Sequence, residues 1–297
     1  MVLSAGYGTR LRPLTDELPK PLLPFGDRTL LEHAVRALAR AGLPRPVVNV
    51  HHLKDIFIKQ IEQLQLEVDV IHEPVIRGTA GGIHGALSRL GPAPIVVLNG
   101  DAVFDEVPSD FADSASDLHL VLAVLPRPAG QGTVGVGSDG RVVRLRGERF
   151  GSEVAGGDYI GLCALGARGL AALPEFGCLV GDLALPLLRR GEIVGSWPFS
   201  ARVWLPGDDL GAYWRANLEW LAAHGGGQSS VGAGSTIDAG IELEMSVLGP
   251  RVRLTGRGAV SRCVICAGAA AEAPLADAVV TPSGRILSFS SERPSSA

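Results

Sequence analysis

The feature that most limits what this chain can fold into is an alternation of short apolar runs with amphipathic stretches, from Met1 to about Asn217. Val47-Val48-Asn49-Val50, Val68-Asp69-Val70-Ile71, Ile95-Val96-Val97-Leu98 and the run from Leu118 to Val124 read as buried strands. Helical segments lie between them. In the first, Thr29 and Glu32 make a capping box, Leu30, Leu31, Ala34, Leu38 and Ala39 form an apolar stripe, and Gly42 ends the helix. A second helix is expected from about Leu53 to Leu64. Strand and helix in strict alternation predict an α/β fold, a mostly parallel sheet with helices on both faces. Ligands of such sheets sit at the carboxyl ends of the strands.

The texture changes after His224. Gly225 to Ser230 is a linker by composition, which divides the chain into a domain 1–224, a linker 225–230, a repeat domain 231–289 and a frayed tail 290–297. Within the repeat domain apolar residues recur at six-residue steps, Val231 to Ile237 and Ile241 to Val247. Ser246-Val247-Leu248-Gly249 recurs loosely as Cys263-Val264-Ile265-Cys266 and as Ala278-Val279-Val280-Thr281. Apolar steps separated by small residues predict a short parallel β-helix, each face giving one inward side chain. The 39 Gly and 20 Pro of 297 residues thereby acquire structural addresses, while 46% hydrophobic content excludes a disordered chain. The net charge of −4 and scattered Lys and Arg argue against a nucleic-acid partner, and no run approaches a membrane span. A cytoplasmic protein is expected, its cysteines reduced and packed as small apolar residues.

Three segments carry chemistry. The first strand enters Gly6-Tyr7-Gly8-Thr9-Arg10-Leu11-Arg12-Pro13, where two glycines let backbone N–H groups approach an anion and Thr9 and Arg10 add a hydroxyl and a fixed cation. Lys20 follows between Pro19 and Pro21, which fix φ and stiffen its approach. Leu98-Asn99-Gly100-Asp101 places a carboxylate at a strand's carboxyl end, suited to Mg²⁺ beside substrate phosphates. A fourth stretch, Glu73 to Gly82, has small residues that let a flat base lie against backbone.

Residues Leu3 to Thr15 with Pro19-Lys20-Pro21 resemble the signature of the sugar-1-phosphate nucleotidyltransferases, the NDP-sugar pyrophosphorylases. Val48 to His52, Gly78-Thr79-Ala80-Gly81-Gly82 and Leu98 to Asp101 follow in that family's order, and the resemblance covers about residues 1–222. Within the family the chain looks most similar to mannose- and heptose-1-phosphate guanylyltransferases and to N-acetylmuramate 1-phosphate uridylyltransferases. The repeat resembles the left-handed β-helix that several members carry. The resemblance implies a Rossmann-like nucleotide-diphospho-sugar transferase fold and a reaction in which a nucleoside triphosphate, GTP or UTP, and a sugar 1-phosphate give an NDP-sugar and pyrophosphate.

It also implies roles. Arg10, Lys20 and Asp101 would be catalytic. Leu3, Ala5, Gly6, Gly8, Thr9, Arg10, Lys20, Glu73, Gly78, Thr79 and Gly100 would bind nucleotide, and Asn99, Asp158 and Gly161 the sugar. Mg²⁺ would be held by Asp101 with Asp209, Asp208 being a further candidate, and the β-helix could serve a homo-oligomer. Two positions depart from the family pattern. Pro206 stands where a second metal carboxylate is expected, and Arg149 in Gly147-Glu148-Arg149-Phe150 stands where many members carry a lysine. Both losses suit an alternative, an NDP-sugar-binding regulatory subunit of an active paralogue. As the residue before Leu210-Gly211-Ala212, Asp209 is also a good helix N-cap.

Overall fold

A computed structural model describes residues 1–207 and 209–289. Asp208 and the tail 290–297 lie outside the described residues. Two compact units, each discontinuous in sequence, make up the chain. One comprises Met1–Gly6, Ala34–Lys54 and Ile61–Val203; the other comprises Tyr7–His33, Asp55–Gln60 and the chain from Trp204 onward.

The elements that matter for the site are, in chain order, β1 (Val2–Leu3), α1 (Leu30–Arg40), β2 (Val47–Val50), α2 (Lys54–Gln63), β3 (Asp69–His72), α3 (Gly78–Ala86), β4 (Ile95–Asn99), β5 (Leu120–Arg127), β6 (Val134–Val136), β7 (Val142–Leu145), β8 (Glu148–Arg149), β9 (Ala155–Leu165), β10 (Val194–Pro198) and α4 (Leu210–Gly225). In the first unit β1 to β10 form a ten-stranded sheet with the order β8-β7-β6-β9-β4-β1-β2-β3, while β5 pairs with β9 and β10. The core β4-β1-β2-β3 is parallel, as the alternation predicts. Beyond β4 the long strand β9 runs antiparallel to β4, β5 and β6, so the sheet as a whole is mixed. Strands β2 and β4 are buried on both faces, with Val48, Val50 and Leu98 fully enclosed, whereas β3, expected as a buried strand, is the sheet's edge and leaves Asp69 and His72 exposed.

The capping box forms as expected: the Thr29 N–H donates to Glu32 Oε2 (2.8 Å) and the Glu32 N–H to Thr29 Oγ1 (3.2 Å). Along α1 the buried positions are Leu30, Leu31, Ala34, Ala37 and Leu38, so Ala37 replaces the expected Ala39 on the packed face. Gly42 closes the helix with φ of 73°, a left-handed conformation that costs glycine little. Cys163, Cys263 and Cys266 are buried and unbridged, and burial pushes the Cys163 thiol up to about 12. No described helix is long and apolar enough to cross a membrane.

In the second unit α4 runs to Gly225 and is capped by Gly226 in the left-handed region. The chain then builds a seven-stranded sheet from Ser230 to Ser288. Most of its pairs are parallel. Val247 pairs with Val264 and Val264 with Val279, so the three similar tetrads seen in the sequence stand side by side. Serine hydroxyls bridge neighbouring segments at a spacing of 17 residues: the N–H groups of Ser246, Val252 and Cys263 donate to the Oγ of Ser229, Ser235 and Ser246. Leu248, Leu254, Val260 and Ile265 fill the interior, with Ile237, Ile241 and Leu243 packed partly against it. Val231, expected to point inward, is instead 48% exposed because it lies in the first strand of the stack.

At the antiparallel edge of the first unit Glu153 is paired with Arg144 and buried against it. Glu153 accepts from Arg144 Nε (2.8 Å) and Nη2 (3.0 Å) and from the Gly130 N–H (2.7 Å). These bonds, led by Arg144, hold its carboxyl down at about 2. A depressed carboxyl stabilises the fold in full above its ordinary value of 4.5, and that contribution is lost as pH falls toward about 2. Urea midpoints measured across pH 6 to 3 should therefore fall, and Glu153→Gln, already weaker at neutral pH, should show a shallower decline.

Candidate functional site

At the carboxyl ends of the parallel strands a buried polar cluster interrupts the apolar core of the first unit. Asn49 on β2 is its centre. Its Oδ1 accepts the Ser4 N–H (2.8 Å) just past β1, and its Nδ2 donates to Glu73 Oε1 (2.7 Å) just past β3. His51 Nδ1 lies 2.7 Å from the Glu73 carbonyl, and the Glu73 N–H donates to the Val50 carbonyl (2.8 Å), so backbone and side chain of Glu73 are both fixed. Glu73 is only 4% exposed, yet its Oε2 has no partner among the described residues, and neither does Ser4 Oγ.

Several residues expected at the site converge here. The Gly100 N–H donates to the Leu3 carbonyl (2.8 Å), and a Cβ on Gly100 would lie 2.6 Å from Ser4 Oγ. Gly161, with φ of 77°, backs onto Asn99 so closely that a Cβ would fall 2.7 Å from the Asn99 amide nitrogen. Ala5 is buried beside them in sequence. Asn49 itself carries no expected binding role; the signal for it in the sequence is a lone amide inside the apolar run Val47 to Val50.

The small residues of α3 turn out to serve packing. A Cβ on Gly78 would meet the Gly177 carbonyl oxygen at 2.5 Å, one on Gly81 the Glu175 carbonyl at 2.6 Å, and one on Gly82 would come within 2.8 Å of Asn49 Nδ2 and 2.9 Å of Glu73 Oε1. The Ala80 N–H donates to the Gly177 carbonyl (2.9 Å), and Thr79 Oγ1 accepts the Leu179 N–H (2.7 Å). The first turn of α3 is thus capped by segment 177–179, with Arg77 over the Phe176 ring at 5.8 Å. Segment 175–184, which includes a π-helical turn Leu179–Ala184, was invisible as a site element in the sequence.

Within the second unit, Gly8 has φ of 62°, and a Cβ there would fall 2.9 Å from Thr15 Cγ2; Thr15 Oγ1 donates to the Gly8 carbonyl (2.8 Å). A tight turn Thr9–Leu11 follows, and Thr9 and Arg10 are exposed. In the first unit, a Cβ on Gly6 would meet nothing within 4 Å. Lys20 opens a second tight turn, Lys20–Leu22, between the buried Pro19 and Pro21.

The remaining candidates divide. Asp101 is half-buried on the turn after β4. Asp158, expected on the sugar, uses its carboxylate within the sheet: Oδ2 accepts from Arg127 Nε (2.8 Å) and Oδ1 from the Thr133 N–H (3.2 Å). Asp209 caps α4, its Oδ1 accepting the Ala212 N–H (2.8 Å). Arg149 is exposed and points its charge toward Glu153 at 3.7 Å. No group of three or more His, Cys, Asp or Glu suited to a metal occurs among the described residues.

The family model described as nucleotidyl transferase matches residues 1–146, the stretch that holds both the glycine loop and the Asn49 cluster. Similar proteins include the mannose-1-phosphate guanyltransferase of Debaryomyces hansenii, 32% identical over 177 residues that make 54% of this chain and 48% of that one. The enzyme of the same name from Aspergillus oryzae is 39% identical over 113 residues, 35% of this chain and 30% of its own. The chain therefore spans at most about half the length of these curated relatives. The crystal structure of HddC from Yersinia pseudotuberculosis complexed with GMP-PN matches with a TM-score of 0.60 at 20% identity, covering 74% of this chain and 97% of that one. The fold of the nucleotidyltransferases is shared.

If Asn49 holds the strand ends together, its loss leaves the Ser4 N–H and one Glu73 oxygen buried and unpaired. Asn49→Ala should lower unfolding free energy by about 2–4 kcal/mol, as expected for two buried polar groups left without partners, measured by urea denaturation.

Proposed function

We propose that the chain is a sugar-1-phosphate guanylyltransferase. In this reaction an oxygen of the sugar 1-phosphate attacks the α-phosphorus of GTP in line, the bond from that phosphorus to the bridging oxygen breaks, and pyrophosphate leaves with its electron pair. The product is a GDP-sugar. No covalent intermediate on the protein is needed, so the residues act by positioning and by neutralising charge.

One observation carries the choice of nucleotide. A buried carboxylate oxygen without a donor is costly, and Glu73 Oε2 is in that state. Guanine presents two adjacent donors, N1–H and the exocyclic amine, which a carboxylate can accept; uracil offers only N3–H on the corresponding edge. The names of the curated relatives, mannose-1-phosphate guanyltransferases, support the same nucleotide and a hexose 1-phosphate.

In this reading Gly6, Gly8, Thr9 and Arg10 serve the triphosphate, Lys20 the reacting phosphates, and Asn99 and Gly161 the sugar. Asp101 fits a magnesium ion: it is a hard oxygen donor at a strand end, and Mg²⁺ commonly takes one or two carboxylates with phosphate oxygens and water. When bound, the ion would neutralise phosphoryl charge. We also propose that residues 231–289 form a left-handed β-helix, supported by the parallel pairing and the 17-residue serine bridges.

A second reading, a regulatory subunit that binds an NDP-sugar, is favoured by one observation. The segment expected to give a second metal carboxylate supplies Pro206, and the nearby Asp209 works as a helix cap.

Pyrophosphate release with GTP, UTP, CTP and dTTP, each with Mg²⁺ and mannose 1-phosphate or another sugar 1-phosphate, separates the two. GTP should give the highest kcat/KM, and Glu73→Gln should lower it about tenfold or more, the scale of a lost pairing to a polar substrate group. Lys20→Ala should cut kcat by roughly 10²-fold or more with an unchanged thermal midpoint. Saturable binding of GDP-mannose without turnover on any pair would favour the regulatory reading.

A further inference from the structure

Lys20 lies inside a segment, residues 17–26, that is tied at both ends to the C-terminal part of the chain. At one end the Glu17 carboxylate accepts the Ser283 N–H at Oε2 (2.8 Å) and the Ser283 hydroxyl at Oε1 (2.9 Å). Ser283 sits on a closed turn, in which the Gly284 N–H donates to the Thr281 carbonyl (2.9 Å) and the Thr281 N–H to the Arg285 carbonyl (3.0 Å). Thr281 is fully buried, and its hydroxyl lies 3.0 Å from that of Ser283. The acceptor on the N-terminal segment thus meets a donor pair already fixed by its own turn.

At the other end the Gly26 N–H donates to Asn217 Oδ1 (2.9 Å), and the Tyr213 hydroxyl donates to the Pro24 carbonyl. Both partners lie on α4 and both are fully buried. Gly26 has φ of 59°, and a Cβ there would fall 2.2 Å from the Trp220 ring, so the indole packs directly on the backbone. Between these anchors Leu18, Pro19, Pro21, Leu22 and Leu23 are buried, and the Leu22 and Leu23 N–H groups donate to the Pro19 and Lys20 carbonyls. The two prolines fix φ on either side of the lysine. The two anchors that bracket Lys20, at Glu17 and Gly26, are held by residues 266 and 191 positions away.

We propose that Glu17, acting through Ser283, is a positioning residue for Lys20, so that the C-terminal repeat sets where the lysine's charge is delivered. The inference rests on the role given to Lys20 in the proposed function. Its physical basis is the steep dependence of phosphoryl transfer on placement, where an error of about 1 Å can cost roughly 10²-fold in rate. The Glu17 to Ser283 bonds are partly exposed and single-sided, so they add little to global stability. Their loss should therefore appear in turnover and not in melting.

The test uses the full chain with Glu17→Ala, Glu17→Gln and Ser283→Ala, assayed with GTP and mannose 1-phosphate, together with amide hydrogen exchange of residues 18–23 without substrate. Glu17→Ala should lower kcat about tenfold with both KM values within about twofold of wild type, the pattern of an interaction that matters in the transition state. Exchange at Leu22 and Leu23 should quicken while the thermal midpoint stays put. Glu17→Gln, which keeps one acceptor, should fall between, and adding Ser283→Ala to Glu17→Ala should cost nothing more. Wild-type kcat and unchanged exchange in Glu17→Ala, with an active parent chain, would overturn this inference and leave the proposed function standing. A kcat loss that merely tracks a fall in the thermal midpoint would also overturn it. No turnover by the parent chain on any nucleotide and sugar phosphate overturns the proposed function, and the positioning role of Glu17 with it.

Discussion

A single buried amide organises the end of the parallel sheet. Adjacent parallel strands finish with backbone donors and acceptors that have no further strand to meet, and in an apolar core each unmet group is expensive. Asn49 meets one of them, accepting the Ser4 N–H through its carbonyl, and at the same time donates to the Glu73 side-chain carboxylate through its amino group. An aspartate could not donate and a leucine could do neither. The other carboxylate oxygen of Glu73, Oε2, has no partner among the described residues.

Close backbone approach is the second constraint. The glycines at 78, 81, 82, 100 and 161 permit contacts with carbonyls and side chains that a Cβ would block by an ångström or so. Through Gly82 the helix α3 comes up against Asn49 and Glu73; through Gly78 and Gly81 it is capped by segment 175–179. The glycine-rich stretch is therefore first a packing device, and any nucleobase would meet a wall whose rigidity comes from residues about a hundred positions further along the chain.

The sequence made the parallel core legible because buried strands must be apolar and α1 must carry its caps, and both signals are local. The glycine loop, Lys20, Asp101 and Glu73 could be picked out for the same reason. Asn49 is not legible in the same way, because one amide in an apolar run says nothing until its partners are known. Asp158 and Asp209 stand near the right motifs in the sequence, and in the fold one answers Arg127 and the Thr133 N–H and the other the Ala212 N–H. A carboxylate's occupation depends on which donors fold beside it. The antiparallel insertion of β9 was equally hidden, since a strand's direction relative to its neighbours leaves no mark on its composition.

By itself the sequence determined the element types, the α/β core, the repeat of tetrads at Val247, Val264 and Val279, and the residues chemically able to handle phosphates. These follow from periodicity, capping and side-chain chemistry, which act over a few residues. Only the tertiary structure decided that Tyr7–His33 is housed with the C-terminal chain, that Glu17 is held by Ser283 and Gly26 by Asn217, and that Glu73 keeps an oxygen in reserve. Those facts depend on donors and acceptors brought together from distant positions, and hydrogen-bond satisfaction is a property of the packed chain.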